Sequence, residues 1–410
     1  MHPHSILFAV VSIGFLGGLE PLSAASGDSK RSPFDTAPGP GGMAPDLGLK
    51  EVQVLKDERL EDVTSIVVAP GGKHAYAAAF NPGSVSILDR NPDSGELTLR
   101  KSIGGKDHDA AVAFRLSTDG KLGAVSCFRA RALILYARDP DTGDLEKLDV
   151  AGGPGDPRKS LGFCIDNVFS PDGKHVYTIG SSAIGVFSIK NGQLVEGEMA
   201  ADPPQQRVNP EDGARPAQPA MRGGRGIAVS PDGRYLYAGW NSTGALTVHQ
   251  RDPVSGALTH IQTIRENGDE VVGVRSIMGV TVSRDGRFVY TSGGRFGNLD
   301  AVCVFSQRNG ELSLVQSLHG KNLPAEFGGG NEIVLSPNQR EVAVACTGAD
   351  TIARFHRDPE TGKLSLIGIE ESGPKENPGP AGLCWSSNGK FIHVADEESG
   401  CIVTFRKKGR

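Results

Sequence analysis

A short turn motif recurs seven times along the 410 residues of this chain. Its clearest copies run from Ser170 to Tyr177, from Ser230 to Tyr237 and from Ser283 to Tyr290. The fourth residue of the copies falls at 72, 120, 173, 233, 286, 339 and 389, which gives spacings of 48, 53, 60, 53, 53 and 50 residues. A period near fifty residues indicates a repeat architecture, in which each repeat is one supersecondary unit.

Each copy has the chemistry of a tight turn between two apolar runs. In the copy at Ser170, Pro171 presets φ at the second turn position, Asp172 tolerates the bridge and left-handed regions, and Gly173 supplies a positive φ. The β-branched and apolar residues on either side make the unit a hairpin. Gln339 stands where the other six copies have Gly, so we expect a different or slightly strained turn there.

Four strands are predicted in each repeat. In the third repeat they fall at 167–169, 176–179, 185–189 and 193–195, and Asn191-Gly192 forms a two-residue turn between the last two. Four antiparallel strands in a repeat of this length make a propeller blade, and no long helix-period segment competes. The predicted fold is therefore all-β: a seven-bladed β-propeller of four-stranded antiparallel blades, spanning residues 49–410.

The two ends of the repeat array suggest how the ring closes. The last repeat ends with residues 401–405, which form its third strand, and the chain stops before a fourth. Residues 51–55 alternate like a half-buried strand and belong to no repeat. We predict that this N-terminal strand completes the seventh blade near Ile402 to Phe405, because closure removes two exposed sheet edges.

Three segments lie outside the blades. Residues 1–25 resemble a secretory signal, with an apolar run from Ile6 to Leu19 and small residues before a cut near Ala25, although the head lacks Lys and Arg; a buried N-terminal element is the alternative. Export to the periplasm or outside the cell is therefore expected. Residues 26–48 are rich in Pro, Gly and Ser and predict a flexible leader. Residues 196–224 form a long insertion, interpreted as a lid over the channel or as a surface loop.

The composition of the chain limits the kinds of partner that it can bind. The net charge of −5 and the lack of a basic block argue against nucleic acid, and no segment beyond the first 25 residues is long and apolar enough to span a membrane. The six Cys are too few for a disulfide scaffold; most are expected to be buried apolar residues, and one disulfide of unassigned pairing remains open. A monomer is expected.

No cofactor is expected from the motifs. The segment from Asp139 to Asp144 resembles a calcium loop, but the same slot holds ordinary hairpin turns in other repeats. No Gly-x-Ser-x-Gly, His-Glu-x-x-His or Cys-x-x-Cys motif is present. His393 occupies the position of the repeat Tyr, which predicts a packing role.

The candidate site follows from strand register. The first strand of a propeller blade lines the central channel. In each repeat, the residue seven positions before the fourth residue of the turn motif lies near the channel mouth. These residues are Ser65, Ala113, Asp166, Gly226, Gly279, Glu332 and Gly382. The two carboxylates belong to blades three and six, which lie nearly opposite each other in a ring of seven. The loops between blades add His108, Arg158, Arg225, Arg275, His319 and Lys321.

The repeat also resembles a known family. The recurring Ser-Pro-Asp-Gly motif and the Arg-Asp-Pro-x-Thr/Ser-Gly turn are similar to those of the seven-bladed lactonases, which include 6-phosphogluconolactonases and carboxymuconate-lactonising enzymes. The resemblance covers residues 49 to 405. Glu332 within Asn331-Glu332-Ile333 resembles the family's carboxylate before a strand, and Arg225 resembles its Arg. The family's paired histidines before blade two are represented by His108 alone.

The resemblance implies hydrolysis of a sugar-derived or carboxylated lactone. Lactone opening needs a donor for the oxyanion and a base for water, so Arg225 or Arg275 is the candidate donor and Glu332, Asp166 or His108 the candidate base. Asp166, Asn331 and Arg158 are the expected ligand-binding residues. The alternatives are structural: the carboxylates accept backbone N–H groups, the two arginines pair with them, and His108 is a solvated loop residue. A non-catalytic binding propeller for an anionic ligand is the competing function.

Overall fold

A computed structural model of the chain describes residues 48–153, 156, 162–202, 219–266, 272–294, 300–374 and 379–408. Within these residues there are seven antiparallel sheets and no α-helix. The predicted signal, nearly all of the leader, Arg158 and the middle of the insertion lie outside the described residues. Each first strand contacts the first strands of the blades on both sides, from β2 around to β27 and back to β2. This closed ring of inner strands confirms the predicted seven-bladed propeller.

The strand bounds repeat regularly from blade one to blade seven. The inner strands are β2 (Val63–Val68), β6 (Ala111–Leu116), β10 (Asp166–Phe169), β15 (Gly224–Val229), β19 (Ile277–Val282), β23 (Gly330–Leu335) and β27 (Pro380–Trp385). The second strands are β3 (His74–Ala79), β7 (Leu122–Cys127), β11 (His175–Ile179), β16 (Tyr235–Trp240), β20 (Phe288–Gly293), β24 (Glu341–Cys346) and β28 (Phe391–Asp396). The third strands are β4 (Ser84–Arg90), β8 (Ala132–Arg138), β12 (Ala183–Lys190), β17 (Ala245–Arg251), β21 (Ala301–Arg308), β25 (Thr351–Arg357) and β29 (Cys401–Lys407). The outer strands are β5 (Leu97–Gly104), β9 (Leu145–Gly152), β13 (Gln193–Glu196), β18 (Leu258–Arg265), β22 (Glu311–His319), β26 (Leu364–Glu371) and β1 (Leu49–Lys56). In blade three the short strand β14 (Ala200–Ala201) also pairs with β12.

Strand β1 closes the ring in the predicted place. It pairs antiparallel with β29, with Glu51 opposite Phe405, Val54 opposite Val403 and Leu55 opposite Ile402. The Gln53 side chain then joins the seventh blade to the first, since its Nε2 donates to Leu97 O and its Oε1 accepts from Leu97 N, both at 2.8 Å. Blade seven is therefore built from both ends of the propeller sequence.

The turn at Gln339 keeps the geometry of the other copies. Gln339 has a φ of 61°, and its amide donates to Ser336 O at 2.8 Å, as Gly173 does to Ser170 O at 2.9 Å. The left-handed conformation is costly for a residue with a side chain. The Gln339 side chain offsets part of this cost, because its Oε1 accepts from Arg284 N at 2.8 Å. Of the two expected alternatives, the strained turn is the one observed.

A buried arginine joins neighbouring blades at several joints. Arg251 at the end of β17 donates through Nε to the Tyr177 hydroxyl of the preceding blade at 2.7 Å, and Tyr177 donates to Gly256 O at 2.9 Å. Arg138 with Tyr76 and Arg357 with Tyr290 repeat the pair. At the joint between blades seven and one, His393 takes the place of the Tyr and accepts from Arg90 Nε at 2.9 Å.

The buried histidines predict a loss of stability in acid. Burial lowers the pKa of His393 to about 3, helped by the Arg90 charge, and lowers the pKa of His108 and His249 to about 4. The ordinary pKa of a histidine is 6.5. At a pH between this pKa and the lowered pKa values, the unfolded chain binds protons that the native state excludes. The stabilising effect of the neutral histidines is complete above about pH 6.5 and decreases as the pH falls towards 4.

Thermal unfolding between pH 7.5 and 4.5 measures this effect. His393→Gln keeps an acceptor for Arg90 but cannot titrate, so its melting temperature is expected to fall less steeply in acid than that of the wild type. His356→Gln is the matched control, because the His356 side chain is exposed. Parallel melting curves for the wild type and His393→Gln across the whole pH range would contradict the assignment.

Candidate functional site in the central channel

The seven inner strands carry few ionisable side chains. Arg115, Asp166, Arg225, Glu332 and Cys384 are the only ones in these strands, all of which lie within the part of the chain that the structure describes. Neighbouring positions in the strands are filled by small or apolar residues, such as Val67 on β2. A charged group in this setting loses much of its hydration, so its partners decide whether it stays ionised.

Arg115 joins the two predicted carboxylates. It projects from β6 in blade two, where its Nε lies 3.2 Å from Asp166 Oδ1 of blade three and its Nη2 lies 2.9 Å from Glu332 Oε1 of blade six. The guanidinium thus spans the channel. Its side chain is 26% exposed, against 14% for Asp166 and 18% for Glu332. We call these three residues the Arg115 triad.

Both carboxylates also accept backbone amides. Glu332 Oε2 accepts from Leu383 N of the next blade at 2.9 Å, and Asp166 Oδ1 accepts from Asn167 N at 2.9 Å. Ser65, at the same register position in blade one, accepts from Phe114 N of blade two at 3.1 Å. A polar residue at this position therefore joins one inner strand to the next, so part of the role of Glu332 is structural.

The close approach of the inner strands explains a glycine at this position. A Cβ added to Gly382 would lie 2.6 Å from Thr64 O and 3.0 Å from Glu332 Oε2. Any larger residue would push against the backbone of blade one and against the carboxylate. Gly382 therefore leaves the space in which the Glu332 carboxylate lies.

The Arg115 triad brings two carboxyl groups and one guanidinium together in a half-buried environment. Burial raises the pKa of Asp166 and of Glu332, and Arg115 opposes the rise; the charge of Asp166 adds to it for Glu332. Burial also acts to lower the pKa of Arg115, but the two carboxylates outweigh it and raise that pKa above its ordinary value. Arg115 therefore stays charged, while the two carboxylates compete for it.

Arg225 is the second cation of the inner strands. It lies near the start of β15, the strand that neighbours β10 and Asp166. Burial lowers the pKa of Arg225 to about 10, and the negative charge of Glu397 in blade seven acts against this. Arg225 is therefore protonated at neutral pH but only partly hydrated, which strengthens its interaction with an anion.

The other predicted residues are placed differently. Asn331 lies beside Glu332 and donates through Nδ2 to Thr347 Oγ1 at 3.3 Å. Arg275 pairs with Glu266 at 2.7 Å and is 64% exposed, and no contact with the Arg115 triad is found in the described part of the chain. Arg158 lies outside the described residues. The expected pairing of Arg275 with the two carboxylates is wrong, because Arg275 pairs with Glu266 and Arg115 is the arginine that binds Asp166 and Glu332.

His108 is buried, so the expectation of a solvated loop residue is wrong. It is 2% exposed, and its Nε2 shares a hydrogen bond with the Tyr136 hydroxyl on β8. Burial lowers the pKa of His108 to about 4. The ring packs within blade two, and among the described residues it has no hydrogen bond to Arg115, Asp166 or Glu332.

Sequence reasoning missed Arg115, although a signal was present. Residues two apart on a strand face the same side. The residue five positions before the fourth residue of each turn motif therefore also lines the channel. In the other six blades these residues are apolar or neutral at pH 7: Val67, Val168, Ala228, Thr281, Val334 and Cys384. Arg115 is the single charged residue of that set.

Within the described ranges, no group of three or more His, Cys, Asp or Glu side chains is arranged to hold a metal ion. At the calcium-like segment, Asp139 Oδ1 accepts from Asp141 N and Thr142 N at 2.8 and 3.1 Å, and Asp252 and Asp358 bond in the same way in their own turns. Asp139 therefore acts as a turn residue. A search of the described residues also finds no helix of the length and apolarity needed to cross a membrane.

Comparison with known proteins places this chain in a family. The family described as "Lactonase, 7-bladed beta-propeller" matches residues 166–328 and 301–409, which together exceed half of the chain. The chain belongs to the seven-bladed β-propeller lactonase family. Among curated relatives, the 6-phosphogluconolactonase of Bacillus subtilis (strain 168) is 25% identical over 204 residues, or 48% of this chain and 51% of the relative. The chain thus spans about half the length of this relative.

Two solved structures show the same fold. A putative 6-phosphogluconolactonase from Bacteroides uniformis superposes with a TM-score of 0.59 at 21% identity, covering 75% of this chain and 84% of the other. The periplasmic gluconolactonase of Pseudomonas aeruginosa superposes with a TM-score of 0.57 at 21% identity, covering 76% and 85%. At this identity the likeness concerns the fold alone.

Proposed function

We propose that this lactonase-family protein hydrolyses a lactone at the mouth of its central channel. The observation that carries the proposal is the Arg115 triad, in which two carboxylates of raised pKa surround one guanidinium on the inner strands. A second guanidinium, Arg225, lies on the neighbouring strand β15. A base and a cationic donor in one channel are the groups that ester hydrolysis requires.

The chemistry assigned to these groups is ordinary acyl transfer to water. Asp166 or Glu332 accepts a proton from a water molecule, whose oxygen attacks the carbonyl carbon of the lactone. Arg225 stabilises the negative charge that develops on the carbonyl oxygen. The ring C–O bond then breaks, the alkoxide takes up the proton, and a hydroxy acid leaves. A carboxylate with a raised pKa suits this task, because it is a stronger base towards the attacking water than an ordinary carboxylate.

The proposed substrate is a sugar-derived or carboxylated lactone. The curated relative is a 6-phosphogluconolactonase, and one structural neighbour is a gluconolactonase. A panel of glucono-1,5-lactone, its 6-phosphate and a carboxylated muconolactone tests the class, with acid release followed by a pH indicator and corrected for spontaneous opening. Turnover of at least one lactone by the full chain is expected.

Variants separate catalysis from structure. Glu332→Gln and Asp166→Asn each remove a candidate base, and the variant that lacks the acting base is expected to lose the acidic limb of its pH–rate profile together with most of its turnover. Glu360→Gln is the matched control, because Glu360 is 83% exposed and lies in a turn. Wild-type turnover in both site variants would contradict the proposal.

A second function is favoured by the amide contacts. Since Glu332 accepts from Leu383 N, the carboxylates also have a purely structural explanation, and the channel would then serve a non-catalytic binding propeller. In that case no lactone of the panel is turned over, Glu332→Gln lowers the melting temperature, and Arg225→Ala weakens the binding of an anionic ligand such as gluconate.

A further inference from the structure

The two carboxylates of the channel share one cation, and this arrangement has a consequence for the site. Asp166 and Glu332 come from blades three and six, yet each lies within 3.2 Å of a nitrogen of Arg115. Without that cation, two carboxylates would remain in an apolar channel. Like charges in such a place do not both stay ionised, and one takes up a proton.

The geometry fixes the carboxylates as well as their charge. Arg115 binds Glu332 through Oε1, while Leu383 N binds it through Oε2. The guanidinium also uses two different nitrogens, Nε for Asp166 and Nη2 for Glu332. A planar fork of donors sets both direction and distance, which a single ammonium group cannot do.

We propose that Arg115 is the positioning residue of the channel: it keeps both Asp166 and Glu332 ionised and holds each in one orientation. Its catalytic consequence rests on the proposed function, but its effect on the two carboxylates does not. The other ionisable groups on the inner strands are Arg225 near the mouth and Cys384 beside Glu332. Burial raises the pKa of the Cys384 thiol to about 12, so this thiol stays neutral. Arg225 lies on β15, and the negative charge of Glu397 acts to raise its pKa.

The first test needs no substrate. In Arg115→Met, one carboxylate is expected to hold a proton in the native state that it loses on unfolding. A carboxyl whose pKa is raised on folding contributes most below its unfolded value, and this contribution is lost as the pH rises through the folded pKa. The melting temperature of Arg115→Met should therefore fall below that of the wild type by an amount that grows from pH 5 to pH 8.

A double variant makes this test specific. Removing the second carboxylate in Arg115→Met/Glu332→Gln should reduce the pH-dependent part of the deficit and leave the part that the burial of Asp166 causes. Arg115→Lys should show less of the pH-dependent deficit because the charge is kept. Arg287→Met is the matched control, since Arg287 pairs with Asp285 at 2.9 Å in an exposed turn. A deficit that is the same at every pH, or one whose pH dependence is as large in the double variant as in Arg115→Met, would overturn the proposal.

The second test uses lactone turnover. The acidic limb of kcat/KM reports the pKa of the base in the free enzyme. Loss of an opposite charge within about 4–6 Å moves a carboxyl pKa by about 1–3 units. In Arg115→Met the acidic limb is therefore expected to shift upwards by that amount, with activity recovering at higher pH. A loss of turnover that is equal at all pH values would overturn the positioning role.

The two tests separate the two proposals. If no lactone is turned over but the melting curves behave as described, the proposed function fails while the role of Arg115 in the triad stands. If lactones are turned over and neither the melting curves nor the acidic limb respond to Arg115→Met, the positioning role fails and the proposed function stands.

Discussion

Deletion of residues 49–57 is expected to unfold or aggregate the protein. The deletion removes strand β1, which forms the outer edge of blade seven through its pairing with β29. It also removes Gln53, whose side chain makes both hydrogen bonds to Leu97 of blade one. Each lost hydrogen bond costs about 0.5–1.5 kcal/mol, and a whole strand of them approaches the total stability of about 5–15 kcal/mol of a typical protein.

The exposed edges add a second effect. Without β1, strand β29 presents unpaired N–H and C=O groups, which pair with other molecules of the same kind. Size-exclusion chromatography and thermal unfolding measure the two effects together. Lys50→Ala is the matched control, because Lys50 lies in the same strand with an exposed side chain. A deleted chain that remains monomeric and melts at the wild-type temperature would rule out closure by β1.

Replacement of Arg225 by Ala is expected to lower lactone turnover by about 10²–10³-fold, the range for the loss of one oxyanion donor. The expectation rests on the burial that lowers the pKa of Arg225 to about 10, because a partly dehydrated cation gains more from a developing anion than from water. The effect should appear in kcat rather than in KM, since the charge develops only in the transition state.

Two further variants test this expectation. Arg225→Lys keeps the charge but not the planar donors, so an intermediate loss is expected. Arg222→Ala is the matched control, because Arg222 is exposed, lies three residues earlier, and donates to Met221 O. If Arg225→Ala and Arg222→Ala both turn over lactone at the wild-type rate, the oxyanion role of Arg225 is wrong.

The sequence alone determined the architecture of this protein. Repeated turns such as Ser170 to Gly173 fixed the number of blades, since their conformations depend on neighbouring residues only. The missing fourth strand after residues 401–405 and the unassigned strand at 51–55 also predicted closure, which the pairing of Leu55 with Ile402 confirms. These features depend on local chemistry and on period, and both are visible in a single chain.

The partners of the channel residues were decided by the tertiary structure. Register placed Asp166 and Glu332 in the channel, but Arg115 is 51 residues from the first and 217 from the second, and sequence separation says nothing about which side chain reaches across a ring. The position of Arg275 in a loop between blades makes it a candidate for this site in the sequence, yet its contact is with Glu266.

The tertiary structure also decided that His108 is buried. A histidine between Asp107 and Asp109 has the sequence context of a solvated loop, but the short 3-10 turn from Lys106 to His108 directs its ring towards Tyr136. Burial is set by how a loop packs on its blade, which depends on contacts between distant residues. Period and turn chemistry therefore determined the ring of blades, and packing across the ring decided which charged groups meet inside it.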